Sequence, residues 1–249
     1  MTVAIVIPAR YASTRLPAKM LLAETGWPLI RHTYEQAKKA KLAQRVVVAT
    51  DDNRIFSAVK DFGGEVVMTS PSHPSGSDRL AEVAHSLPSD VELIINVQGD
   101  EPEIAPQAID HLITVYQQGG ADCATLVTPF QTSDGVGSPH DPNCVKAVLG
   151  AKGQALYFSR SLIPYPRDSV VEAKNYYLHL GIYAYSPQFL LKFVKLSEGI
   201  LETREKLEQL RILEHGYKIF AGVIPQAHPG IDSPADYAAF VARHKKGML

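Results

Sequence analysis

The chain contains neither GxxxxGK[ST] nor GxGxxG, so any phosphate it holds is held without a P-loop or a dinucleotide fingerprint. No apolar run approaches the ~20 residues that cross a bilayer. A basic stretch followed by the apolar core of a secretory leader is also missing at the N-terminus. The expectation is a cytoplasmic protein with no membrane partner. Cysteine is scarce: Cys123 and Cys144 have no CxxC spacing and no His cluster beside them, which disfavours a disulfide framework or a thiolate metal site. A buried free thiol is expected at each. An excess of one charge is lacking too, since 25 Lys and Arg against 26 Asp and Glu leave a net charge of -1. No global field recruits nucleic acid, and no nucleic-acid partner is expected.

What is present is an ordinary globular composition of 249 residues with 45% hydrophobic side chains. It suits one domain over 1–249 with ample core. Short apolar, β-branched runs at 3–7, 46–49, 65–68, 93–97 and 124–127 alternate with helical spacing such as Ile30, Tyr34, Ala37 and Ala40. Strands apolar on both faces suit a mostly parallel sheet with helices on both sides, a three-layer α/β fold in which ligands gather at strand carboxyl ends. From about residue 128 the rhythm loosens through the loop PFQTSDGVGSPHDPN. Shorter β-like runs at 145–149, 155–158 and 180–185 and a long helix over 201–215 are expected next. This mixed α+β insertion covers about 128–220.

Two stretches carry chemistry. After the first strand, IPARYASTRLPAKML places Arg10, Arg15 and Lys19 before any acid. Two guanidinium forks, a point charge and loop N–H groups can hold an anion, although a solvated basic loop explains the same letters. NVQGDEP runs off an apolar strand into Asp100 and Glu101, with Gly99 where a Cβ could obstruct a ligand. Asp100 can take Mg²⁺ beside substrate phosphates, while a turn before the helix near Pro106 accounts well for Glu101. Cations after one strand and an acid after another describe a nucleoside-triphosphate site with a metal.

IPARYASTRLPAKML, VATDD, HPSGSDRLAE, NVQGDEP, ALYFSR, HLGIYAY, LEQLRILEHG and GIDSPADY occur in this order. They resemble the 3-deoxy-manno-octulosonate (KDO) cytidylyltransferases. The resemblance runs from residue 3 to about 240 and implies a glycosyltransferase-A-like nucleotidyltransferase fold. CTP and a 3-deoxy-octulosonic acid would be the substrates, Mg²⁺ the cofactor and a homodimer the assembly, with residues about 128–220 supplying the sugar-acid and oligomer-contact half.

Ala9, Arg10, Arg15, Lys19, Ser75, Gly76 and Asp100 would then hold the nucleotide. Arg15 and Lys19 would act on the triphosphate, and Asp100 and Asp232 would share the metal. Ser75 and Gly76 would read cytosine through backbone groups, as hydrogen-bonded discrimination requires. A Ser-Gly turn with Asp78 near a helix start, and an N-cap at Asp232, are the plainer alternatives. Gln98, Arg160, His179, Tyr183, Glu208 and Gln209 would meet the sugar acid, with Arg160 matched to its carboxylate. A solvated helix position for Glu208 and simple strand alternation for His179 and Tyr183 stand beside that reading.

The chain departs from the family's usual Gly at Ala18, Pro at Met20, and Lys or Arg at Leu178. The last departure brings in the 8-amino-3,8-dideoxy analogue as an alternative acceptor. A sialic acid or related nonulosonate is another. A nucleotide-binding protein without turnover is the alternative of a different class.

Overall fold

The computed structural model describes residues 1–13, 15–134, 137–227 and 230–247. The predicted loop after residue 128 therefore includes two positions, 135 and 136, outside the described residues. In chain order the strands are β1 (Thr2–Ala9), β2 (Arg45–Thr50), β3 (Val66–Met68), β4 (Val91–Asn96), β5 (Cys123–Pro129), β6 (Lys146–Leu149), β7 (Ala155–Ser159), β8 (Tyr177–Tyr185) and β9 (Ile219–Val223). The helices are α1 (Leu29–Ala37), α2 (Asn53–Asp61), α3 (Gly76–Ser86), α4 (Pro106–Gly119), α5 (Pro187–Phe193), α6 (Ile200–Glu205), α7 (Gln209–Glu214) and α8 (Pro234–Lys245). The chain forms two compact units, Met1–Asp110 with His228–Leu249, and His111–Ala227. No helix among the described residues is long and apolar enough to cross a membrane.

In the first unit the strand order is β3-β2-β1-β4, and every pairing is parallel. Residues 3–7 are all essentially inaccessible, as expected of a strand covered on both faces. The chain steps outward from β1 through β2 to β3 and then returns to β4 on the other side of β1. Right-handed crossovers place α1 and α2 on one face and α3 on the other. The carboxyl ends of β1 and β4 flank the point where the strand order reverses, so the loops that follow them form a ligand crevice.

A buried cluster of Leu16, Leu29, Ile231, Tyr237 and Phe240 pins the loop after β1 and the segment before α8. That packing positions two loops that share no sequence proximity. Ser233 caps α8 in a reciprocal capping box with Asp236. The cap assignment therefore passes from Asp232 to Ser233, and the Asp232 side chain is left for the crevice.

In the second unit β5 runs antiparallel to β8 and parallel to β9, while β6 pairs antiparallel with both β7 and β8. The strand β9 has no counterpart in the sequence reading. The helix expected over 201–215 is two helices. Lys206 takes φ 54° and ψ 47°, ending α6, and α7 starts at Gln209. Burial of Leu207, Leu210 and Ile212 and a bidentate ion pair from Arg211 to Glu202, at 2.7 and 2.6 Å, hold the break. Nine residues along one helix span about 13.5 Å, so a continuous helix would forbid that pair. Both cysteines are free; Cys123 is buried as expected, whereas Cys144, on the loop before β6, is half-buried.

Candidate active site

The crevice of the first unit is a cleft of about 370 Å³ lined by Arg10, Arg15, Lys19, Gly76, Gln98, Asp100 and Asp232, among others. Its size is within the range of small-molecule sites. Of the residues expected to hold nucleotide, Ala9 and Ser75 do not line it. Ala9 is buried at the end of β1. The Ser75 hydroxyl accepts from the Asp78 backbone N–H at 3.2 Å and so caps α3, leaving only its backbone for a base.

Four charged residues of the cleft, Arg15, Lys19, Asp100 and Asp232, are already paired with one another. Lys19, 7% exposed, donates from Nζ to Asp100 Oδ2 at 2.6 Å, to the Ile231 carbonyl at 2.8 Å and to Asp232 Oδ1 at 3.5 Å. Arg15 donates to Asp232 Oδ1 at 2.9 Å. The Ile231 N–H donates to the Asp100 carbonyl at 2.8 Å, a bond that ties the two carboxylate-bearing segments together. The sequence reading missed the part played by the Ile231 carbonyl, because a backbone acceptor leaves no letter in a motif.

Gly99 is needed for a different reason than expected. A Cβ there would lie 3.0 Å from both the Pro8 carbonyl oxygen and the Met20 sulfur. The glycine thus lets the β4 loop close against the β1 loop, and Thr33 donates to its carbonyl at 2.8 Å. Glu101 makes the predicted turn, its N–H donating to Gln98 O at 3.2 Å; burial and the neighbouring Asp100 push its carboxyl up to about 8. Ala18 takes φ 53°, the left-handed region where glycine is at ease and a Cβ is unfavourable, so the backbone there suits the glycine from which this chain departs.

The oxygen-only donor set of Asp100 and Asp232, converging on one ammonium, suits Mg²⁺ completed by substrate phosphates. No group of three or more His, Cys, Asp or Glu side chains able to hold a metal occurs among the described residues. An ion in this cleft would therefore take its remaining ligands from the nucleotide and from water.

The second unit carries Arg160, His179, Tyr183, Glu208 and Gln209. Arg160 donates from Nε to the Glu205 carbonyl at 2.8 Å and from Nη1 to the Pro142 carbonyl at 3.0 Å, which fixes its guanidinium in a plane. His179 and Tyr183 are four residues apart, about 13 Å in an extended strand. Their ring centroids are nevertheless 5.5 Å apart. The register shifts at Thr125 and Leu126, opposite Tyr183 and Leu180, so Gly181 and Ile182 bulge out and the strand shortens. Burial holds the His179 imidazole down at about 3. It also raises the Tyr183 phenol well above its ordinary value, with Cys123 and Glu208 adding to the effect. Gln209 is buried at the start of α7, next to Glu208. Leu178 pairs with Thr128 and Lys146, so strand alternation puts its side chain on the sheet face opposite His179.

Comparison with known proteins gives a consistent result. The cytidylyltransferase family profile matches residues 4–219. A 3-deoxy-manno-octulosonate cytidylyltransferase of Rhodopirellula baltica is 46% identical over 246 residues, covering 96% of this chain and 97% of that protein. One from Chlorobaculum parvum is 49% identical over 238 residues, covering 94% and 93%. The solved structure of a CMP:2-keto-3-deoxy-manno-octonic acid synthetase complexed with CTP superposes with a TM-score of 0.91 at 39% identity, covering 99% of this chain and 100% of the other.

Proposed function

This chain belongs to the 3-deoxy-manno-octulosonate cytidylyltransferase family, and on that premise we propose that it transfers CMP from CTP to 3-deoxy-D-manno-octulosonate (KDO) for lipopolysaccharide biosynthesis. The anomeric C2 hydroxyl oxygen bonds to the α-phosphorus of CTP, the bond from that phosphorus to the bridging oxygen breaks, pyrophosphate leaves, and the hydroxyl proton passes to solvent. Positioning and charge stabilisation carry such a transfer, and no side-chain nucleophile is required.

The observation that carries the reading is the cleft of the first unit, where Arg10, Arg15, Lys19, Asp100 and Asp232 converge at strand carboxyl ends. Arg10, Arg15 and Lys19 bind the triphosphate, Gly76 offers its backbone to the base, and Gln98 stands beside Asp100. Arg15 and Lys19 are matched in number by Asp100 and Asp232, so these four side chains carry no net charge. A triphosphate therefore needs positive charge beyond Arg10, which favours Mg²⁺ on Asp100 and Asp232. When bound, the ion would neutralise phosphate charge and lower the pKa of the attacking hydroxyl.

Arg160, His179, Tyr183, Glu208 and Gln209 of the second unit receive the sugar acid. A homodimer and a cytoplasmic location belong to the same reading. The test is pyrophosphate release by the purified protein with CTP, Mg²⁺ and KDO. Absence of release with KDO, or equal release with UTP, overturns the proposal.

A further inference from the structure

Thr125 lies on β5, fully buried, at the step where the register with β8 shifts. Its Oγ1 is 2.8 Å from the Ile182 carbonyl oxygen, 3.2 Å from the Leu180 carbonyl oxygen and 3.1 Å from His179 Nε2. A threonine hydroxyl has one proton and two lone pairs, whereas a carbonyl can only accept. With two carbonyl oxygens against it, the hydroxyl must turn its proton towards them, and the Ile182 oxygen is the nearer. A lone pair of Oγ1 then faces Nε2, and the 3.1 Å contact is a hydrogen bond only if Nε2 carries the ring proton. Nδ1 is left with its lone pair.

We propose that Thr125 is a positioning residue that locks His179 as the Nε2–H tautomer, so that Nδ1 accepts a hydrogen bond from a hydroxyl of the sugar acid. The inference rests on the reading that His179 meets the sugar acid. A polyol offers hydroxyl donors, and a fixed acceptor selects a hydroxyl over a carbonyl or ether oxygen at that position. The two-residue bulge of Gly181 and Ile182 turns the Ile182 carbonyl onto Thr125 and so consumes its only proton. Burial that keeps the ring neutral preserves the acceptor across the working pH range. The edge-on packing of Phe158, with ring centroids 4.8 Å apart, limits rotation of the imidazole.

The experiment reads the tautomer directly, from the ¹⁵N shifts and two-bond couplings of the His179 ring in the wild-type protein. The Nε2–H pattern is expected, and an Nδ1–H pattern overturns the proposal. Thr125→Val keeps the β-branched shape and loses the hydroxyl. It should give a mixture of tautomers and raise KM for KDO about 5- to 10-fold, the scale of one hydrogen bond, with KM for CTP unchanged. Thr125→Ser should restore both readouts. An unchanged tautomer and unchanged KM in Thr125→Val also overturn it. A mixed tautomer with unchanged KM for KDO overturns the assignment of His179 to the sugar acid, and is recognised by the spectrum moving without the kinetics. If Thr125→Val does not fold, the wild-type spectrum and Thr125→Ser still decide.

Discussion

The Lys19 ammonium is held 2.6 Å from the Asp100 carboxylate, with the Lys19 side chain 9% exposed. The pair joins the loop after β1 to the loop after β4, and the same ammonium reaches Asp232 at 3.5 Å. Two of the three cations of a loop that looked free for phosphate in the sequence are thus matched by the protein's own acids. The cleft holds two carboxylates and three cations, with Arg10 outside the paired four.

Asp100→Asn is expected to leave the fold intact and lower turnover by at least ~10²-fold, the effect of losing a preorganised charge at the reacting phosphate. Steady-state rates at saturating Mg²⁺ and CTP measure it. Wild-type-like turnover under those conditions would remove Asp100 from the reaction.

Ala18→Gly should stabilise the protein by about 1 kcal/mol, because Ala18 sits at φ 53° and a Cβ is unfavourable there. For a chain of this size that is a rise of about 2–4 °C in Tm. A lower Tm would show that the loop holds Ala18 without strain.

Arg160→Ala is expected to raise KM for KDO about 10- to 150-fold, the loss of a charge-assisted bond to carboxylate, while KM for CTP stays near the wild-type value. Some stability goes with it, since the Glu205 and Pro142 carbonyls each lose a donor. A raised KM for CTP with KDO dependence unchanged would reverse the assignment.

The pH dependence of stability can be read through His32. Burial, followed by the His244 and Arg31 charges, lowers its imidazole to about 4. The unfolded chain, with an ordinary value near 6.5, binds the proton that the folded form refuses. This contribution is therefore complete above about pH 6.5 and is lost as the pH falls towards 4. Glu101, raised to about 8, acts in the opposite direction over the same interval, so a variant isolates the histidine. Chemical denaturation of His32→Gln between pH 7 and 5 should show a smaller loss on acidification than the wild type. An equal loss would assign the acid sensitivity to other groups.

Much of the first unit was legible from sequence because its signals are local. Runs of β-branched residues at 3–7 and 46–49 became β1 and β2 within two residues, and the apolar spacing of Ile30, Tyr34 and Ala37 became α1. Arg15, Lys19 and Asp100 could be assigned to one site because strand carboxyl ends are adjacent in a parallel sheet whatever their separation in the chain. The second unit was harder to read. No Gly or Pro interrupts 201–215, so the letters read as one helix, and only the burial of Leu207 with the Glu202–Arg211 pair divides it.

The sequence by itself determined the types of group available: the cations after β1, the acid after β4, the acid before α8 and the family to which they belong. Charge, propensity and motif order are properties of the letters and survive without coordinates. Only the tertiary structure decided which of those groups face one another. Lys19 bridges Asp100 and Asp232 because Ile231 hydrogen-bonds to Asp100 and buries itself beside Leu16. His179 approaches Tyr183 because a bulge shortens β8. Thr125 meets His179 for the same reason, since a single threonine proton is allocated by the carbonyls around it and that surrounding exists only after the strands have paired.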